Sequence, residues 1–204
     1  MIDIPELTRD ALIELINISI GKSANAMNEM IRQEVTLSVP EVELMAFEDV
    51  EANLKLDANS EELTTVDQDF NGPVAGKSFL ILPKENSLQL VQLILGDEVP
   101  AQDIPEFEEE TLVEVGNVIL NAFLGSLSNE LYITITSDIP KFSKSSFSGK
   151  FGEGDLKKHT VIMSIHVDFK IKDEKINGYL MLVVNLITLK SLIYLIDKYI
   201  ERIT

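Results

Sequence analysis

The sequence contains no cysteine, no tryptophan and only two histidines, His159 and His166. The missing cysteine excludes a disulfide framework, a thiolate nucleophile and any sulfur-ligated zinc site. Two imidazoles without a cysteine partner fall short of the three or four converging ligands that zinc requires. They read as ordinary residues. Positive charge is scarce: 17 lysines and arginines face 34 aspartates and glutamates, a formal net charge of −17. Nucleic-acid binding depends on Lys and Arg contacts to phosphate and is disfavoured. So is attachment to an anionic membrane surface. Unaided capture of a small phosphorylated molecule is equally disfavoured, so phosphate chemistry here requires a substrate that brings its own positive charge. No N-terminal signal pattern is present, since "MIDIPELTRD" has early acids and no apolar core. The longest apolar run, "YLMLVVNLITL", is too short to span a bilayer. The expectation is a soluble, cytoplasmic protein.

What is present is a chain of 204 residues, 45% hydrophobic, with ample material for a packed core. Gly21-Lys22-Ser23 looks like the end of a phosphate-binding P-loop. That motif, G-x-x-x-x-G-K-S/T, needs a glycine where this chain has Ile16, and it needs a loop between strand and helix. Leu7–Met30 reads instead as one uninterrupted helix. The Gly-rich "GKFGEGD" lacks a following Lys-Ser/Thr and reads as a loop. The acidic run at Glu106 and Glu108–Glu110 has no EF-hand spacing and suits a solvated helix start, where the dipole favours negative charge.

The chain also reads as written twice. At a constant offset of one hundred residues, Asp10 falls on Glu110, Glu14 on Glu114, Asn17 on Asn117 and Pro40 on Pro140. Apolar positions agree, as with Leu12 and Leu112, Ile18 and Val118, or Val39 and Ile139. Each half begins with a long helix, Leu7–Met30 and Glu108–Glu130. Strand signals follow: Val35–Val39, Val42–Phe47 and Pro73–Leu82, then Tyr132–Asp138, His159–Ile171 and Lys175–Val184. A closing helix ends each half, Glu85–Leu95 and Leu189–Ile200. Leu54–Asn71 and Lys141–Lys158 are polar and turn-rich, as hairpin loops or edge strands are. "VPAQDIPEFEEE", with two prolines, links the halves. The expected architecture is α+β: two α-β-β-β-α repeats, about 5–97 and 106–200, in one domain spanning 1–204. They would form a six-stranded mixed or antiparallel sheet with two long helices, related by a pseudo-two-fold axis.

On a wheel at about 100° per residue, Asp10, Glu14, Asn17 and Gly21 form one narrow stripe of the first helix. Glu110, Glu114, Asn117 and Asn121 form the same stripe on the second. Most of the remaining circumference is apolar, so each helix is expected to be buried except along its stripe. One Glu-x-x-Asn on a helix means little. Two copies, each with the same interval to a proline, need an explanation.

The pattern D/S-x3-E-x2-N-x22-P resembles the signature of the CheC/CheX/FliY phosphatases of bacterial and archaeal chemotaxis. It reads Asp10, Glu14, Asn17, Pro40 and again Glu110, Glu114, Asn117, Pro140. The likeness extends through "VGNVIL", "LSVPEVELMAFEDV" and "ILPKENSLQLVQLILG". Two motifs without a flagellar-switch C-terminal domain look most like the CheC branch. The resemblance implies that the substrate is phosphorylated CheY, a receiver carrying an aspartyl phosphate. Glu14 and Glu114 would pair with the receiver's active-site lysine, and Asn17 and Asn117 would orient the attacking water. Asp10, Gly21, Glu110, Gly116 and Asn121 would contact the partner, and Pro40 and Pro140 would be structural. No cofactor of its own is implied, since the receiver brings Mg²⁺ and the lysine. The deamidase CheD is a further candidate partner. Phosphoryl transfer needs chiefly positioning and charge stabilisation, and an amide that donates and accepts hydrogen bonds at once suits the task. The alternatives are a non-catalytic flagellar-switch-like docking module and an adaptation regulator acting through CheD.

The two copies differ. The family often has glycine just before the Asn, which Gly116 keeps and Ile16 does not. If the absent side chain admits the partner's backbone, the second site should be the stronger.

Overall fold

The computed structural model describes residues 4–50, 62–96, 99–146, 149–150, 160–171 and 173–203. His159, most of the Gly-rich stretch and much of the two polar segments lie outside the described residues. Among the described residues the elements run α1 (Glu6–Ile31), β1 (Val35–Ala46), a 3₁₀ turn (Phe47–Asp49), β2 (Leu63–Asn71), β3 (Gly76–Pro83) and α2 (Lys84–Leu95). They continue with α3 (Ile104–Leu131), β4 (Thr136–Ser137), β5 (Lys141–Ser145), β6 (Thr160–Ile171), β7 (Glu174–Asn185) and α4 (Leu186–Ile203). The fold is α+β, with seven strands in one sheet of order β1-β6-β7-β3-β2-β4 and β5 also on β2. Every pairing is antiparallel. The order reads the same backwards if β1 exchanges with β4 and β5, β2 with β6, and β3 with β7.

Period-two alternation gives the sheet two apolar faces. On β7, Ile176, Leu180, Leu182 and Val184 point to the helices, while Tyr179, Met181 and Val183 point away. The main core lies between the helices and one face, where Leu15, Ile20 and Met27 of α1 and Leu112, Val115, Ile119 and Phe123 of α3 join Val66, Leu80, Ile165 and Phe169. A smaller cluster, including Met45, Leu63, Phe79, Ile81 and Ile162, occupies the other. The helices α1 and α3 pack on each other, and the Ser23 hydroxyl donates to the Ile119 carbonyl at 3.0 Å. The helix α3 is long and apolar enough to cross a membrane by composition alone. Most of its apolar residues are buried in this core instead.

Several boundaries differ from the sequence reading. The two strands expected at Val35–Val39 and Val42–Phe47 are one, β1, whose register shifts between Ser38 and Glu41. Pro40 sits in that shift. On the opposite edge, Pro140 sits in the break between β4 and β5. Proline has no N–H to give a ladder, so edge strands and bulges are where a sheet tolerates it. Of Tyr132–Asp138 only Thr136–Ser137 is strand, because Tyr132 caps α3 in the left-handed conformation, φ 54°. Pro105 lies in the first turn of α3, where its missing N–H is harmless, so the helix begins inside the stretch read as a linker.

The largest correction concerns Leu54–Asn71, read as a loop or edge strand. Its second half is β2, hydrogen-bonded on both sides and almost wholly buried. Asp67 disguised it. Its side chain is only 4% exposed, but Lys77 and Lys150 neutralise it at 3.1 and 2.6 Å.

Candidate functional site

The two polar stripes lie on the surface, as the wheel predicts. On α1, Asp10, Glu14, Asn17 and Gly21 are all exposed, while Leu12, Leu15, Ile16, Ser19 and Ile20 are buried. On α3, Glu110, Glu114 and Asn121 are exposed and Asn117 is half-buried. Glu and Asn three residues apart share one helical face, so each pair presents a carboxylate beside an amide. Among the described residues, no cation pairs with Asp10, Glu14, Glu110 or Glu114. Glu106, Glu109, Glu110, Glu114 and Val113 line an open, shallow acidic groove on α3. These carboxylates are available to a positively charged group from another molecule.

Gly116 is not part of that surface. It is buried on the underside of α3, where an added Cβ would stand 2.4 Å from Cγ1 of Val66 on β2. The glycine therefore lets α3 approach the sheet and offers nothing to a partner. Ile16, at the same place in α1, is fully buried in the core. The expected weakness of the first site loses its basis, because neither residue faces outward. Gly21, by contrast, is exposed with nothing within 4 Å of a built Cβ, and it leaves the surface beside Asn17 open.

The copies also differ at Asn121. The Asn121 side-chain amide donates to Oδ1 of Asn117 at 2.7 Å. Asn121 in turn accepts from Nε2 of Gln68 at 3.1 Å. Gln68 is on β2 and 1% exposed. On α1 the position of Asn121 is Gly21, and Asn17 has no side-chain partner among the described residues.

Glu108 corrects another expectation. It is not solvated but 1% exposed. Its Oε1 accepts from the hydroxyls of Thr64 at 3.0 Å and Ser87 at 2.7 Å. Its Oε2 accepts from Lys144 Nζ at 2.6 Å. A buried charge is tolerated only when paired and hydrogen-bonded, and this one is both. Glu108 thereby ties the start of α3 to β2, α2 and β5, behind the acidic groove rather than in it.

The chain resembles several known proteins. Residues 7–44 match the family model described as the CheC-like family, a span that holds the first copy from Asp10 to Pro40. The CheY-P phosphatase CheC of Bacillus subtilis (strain 168) is 25% identical over 178 residues, covering 84% of this chain and 83% of that one. The chain is similar to CheC. The crystal structure of Thermotoga maritima FliY superposes with a TM-score of 0.76 at 21% identity, covering 98% of this CheC-like chain and 100% of FliY. CheX in the CheX–CheY–BeF3–Mg²⁺ complex of Borrelia burgdorferi superposes with a TM-score of 0.53 at 18% identity, over 85% of this chain and 97% of that one. At these identities the likeness to the solved structures is one of fold.

Sequence reasoning missed Gln68, Glu108 and Lys144 as parts of the CheC-like architecture. Gln68 left no local signal. The apolar residues of this segment, Leu63, Val66 and Phe70, are spaced by three and four, so they obscure the strand rather than mark it.

Proposed function

We propose that this CheC-like chain hydrolyses the aspartyl phosphate of a phosphorylated CheY-type receiver, with Glu14 and Asn17 forming one site and Glu114 and Asn117 the other. The observation that carries the reading is the duplicated carboxylate–amide pair, its carboxylates exposed and without a cation among the described residues. The naming of the Bacillus subtilis relative as a CheY-P phosphatase and the complex of a fold neighbour with CheY support the choice of substrate.

The physics of the step fits the residues. Each Glu accepts a charge-assisted hydrogen bond from the receiver's lysine, a stronger bond than a neutral one. Docking by charge also suits a partner that brings its own lysine and Mg²⁺. The Asn one turn along donates to and accepts from a water, holding it in line with the phosphorus. The water oxygen bonds to phosphorus as the P–O bond to the receiver's aspartate breaks, releasing carboxylate and inorganic phosphate. No nucleophile on this chain is required, since positioning accounts for most of such catalysis. Orientation alone lowers a barrier by several kcal/mol, up to about 7–11 in favourable cases.

The test follows acyl-phosphate loss from a phosphorylated CheY-type receiver. The wild-type chain should accelerate it, and the variant with Glu14, Asn17, Glu114 and Asn117 all changed to Ala should not. Asn17→Ala and Asn117→Ala should each leave part of the activity. Failure of the wild type to accelerate the loss, alone and with CheD, would overturn the proposal. Receiver binding without acceleration would make the chain a docking module instead.

A further inference from the structure

We infer that Gln68 and Asn121 are positioning residues for Asn117, and that they make the α3 site the faster of the two. The inference rests on the proposed phosphatase reading and deepens it.

Three amides stand in a row from the sheet to the surface. Gln68 lies on the helix-facing side of β2 with Val66 and Phe70, both buried. Its Nε2 donates to Asn121 Oδ1 at 3.1 Å, and Asn121 Nδ2 donates to Asn117 Oδ1 at 2.7 Å. Each bond dictates the orientation of the next amide. The Gln68 donor draws the Asn121 oxygen towards the sheet, which turns the Asn121 amino group to Asn117. That fixes the Asn117 oxygen and leaves its amino group unengaged among the described residues. The side chain is thus held with both N–H donors and one oxygen lone pair available to a water and a phosphoryl oxygen.

Gln68 makes one side-chain hydrogen bond among the described residues, the one to Asn121. Its Oε1 is buried without a hydrogen-bond partner among the described residues, and a buried acceptor left unsatisfied is unfavourable. The other site shows the contrast. Gly21 has no side chain to reach Asn17, and β6 presents Ile165, Val167 and Phe169 to the helix layer. Asn17 must therefore be ordered when the receiver docks, whereas Asn117 is ordered beforehand. Pre-ordering acts on the chemical step. Docking is left to Glu114 and the acidic groove.

The experiment uses the full-length Asn17→Ala chain, so that turnover of the phosphorylated receiver comes from the α3 site. Adding Gln68→Met should lower kcat roughly tenfold, because small misplacements of a positioning group carry large rate penalties. KM should stay within about twofold, and the melting temperature should not fall. Asn121→Gly should have the same effect, and combining it with Gln68→Met should add nothing, as expected for one relay. Unchanged kcat in Gln68→Met, or additive losses, would overturn the inference. A second readout needs no turnover. Nitrogen-15 relaxation of the side-chain amides in the free chain should show Asn117 more restricted than Asn17, and Gln68→Met should release it. Equal mobility of the two would refute the relay. If the wild type shows no phosphatase activity, the relaxation result still decides the relay separately from the proposed function.

Discussion

Replacing Gly116 by alanine separates a packing glycine from a docking glycine. An added Cβ would meet Val66 at 2.4 Å from Cγ1, 2.8 Å from Cβ and 3.3 Å from Cγ2, whereas carbon atoms pack best at about 3.5–4.0 Å. Rotating the valine relieves the contacts to its methyl groups but not the one to its Cβ, which the strand backbone fixes. Helix or strand must therefore move. Overpacking of this kind costs about 1–3 kcal/mol, and the gain in helix propensity over glycine returns about 1 kcal/mol. With a backbone-anchored clash the penalty belongs in the upper part of its range, so the net loss is roughly 1–2 kcal/mol. For a chain of this size that lowers Tm by about 2–8 °C. Gly125, exposed on the same helix with nothing within 4 Å, is the control, and alanine there should stabilise by about 0.5–1 kcal/mol. The assay is urea and thermal unfolding followed by circular dichroism. Adding Val66→Ala to Gly116→Ala removes the methyl contacts at 2.4 and 3.3 Å but leaves the one to Cβ at 2.8 Å, so it should recover only part of the loss, a coupling of about 0.5–1 kcal/mol. A Gly116→Ala chain as stable as the wild type, or losses that simply add with Val66→Ala, would refute the packing account. Weakened receiver binding with unchanged stability would return Gly116 to the interface.

Two further outcomes follow from buried charge. Lys144→Met leaves the Glu108 carboxylate buried with only its two hydroxyl donors and should destabilise by about 2–3 kcal/mol in urea, part of which Glu108→Gln should recover; a Lys144→Met loss below about 0.5 kcal/mol would show that the ion pair does not hold the start of α3. At alkaline pH, Lys77 and Tyr179 act in the same direction. Burial alone would lower Lys77, but hydrogen bonds and charge from Asp67 and Asp69 outweigh it and raise its pKa above the ordinary 10.5. Burial, and then the charges of Glu41 and Glu43, raise Tyr179 above 10.0. Both groups hold their protons more tightly folded than unfolded, so their contribution is complete below about pH 10 and is lost as pH rises through the elevated folded values. Unfolding free energy should therefore decline above about pH 10, and a Lys77→Met, Tyr179→Phe double variant should flatten the decline. An identical profile in that variant would sink the assignment.

The helices and the stripes were legible because they depend on local periodicity. Spacings of three and four place Glu14 with Asn17, and Glu114 with Asn117, on one face whatever the rest of the chain does. The apolar remainder of each helix then dictates which face is buried. The strands of β6 and β7 were equally clear, being β-branched and apolar. The strand β2 was not, because "LTTVDQDFN" is polar in composition and its charge is neutralised by Lys77 and Lys150, one of them 83 positions away in sequence. Glu108 was misread for the same reason, since its partners come from three other elements. No reading of neighbouring residues reveals a long-range partner.

Gly116 and Ile16 mark the boundary most clearly. The sequence by itself determined that two equivalent helices carry equivalent Glu–Asn pairs, and that one has glycine and the other isoleucine beside the Asn. The wheel also puts that neighbouring position about 130° from the centre of the polar stripe, on the apolar side, but it could not say what packs against it there, because that residue is distant in sequence. Only the tertiary structure decided that, by seating Gly116 on Val66 and Ile16 in the core. Packing also brought Gln68 within hydrogen-bonding distance of Asn121, so the difference between the two sites arises from a strand 53 positions away in sequence.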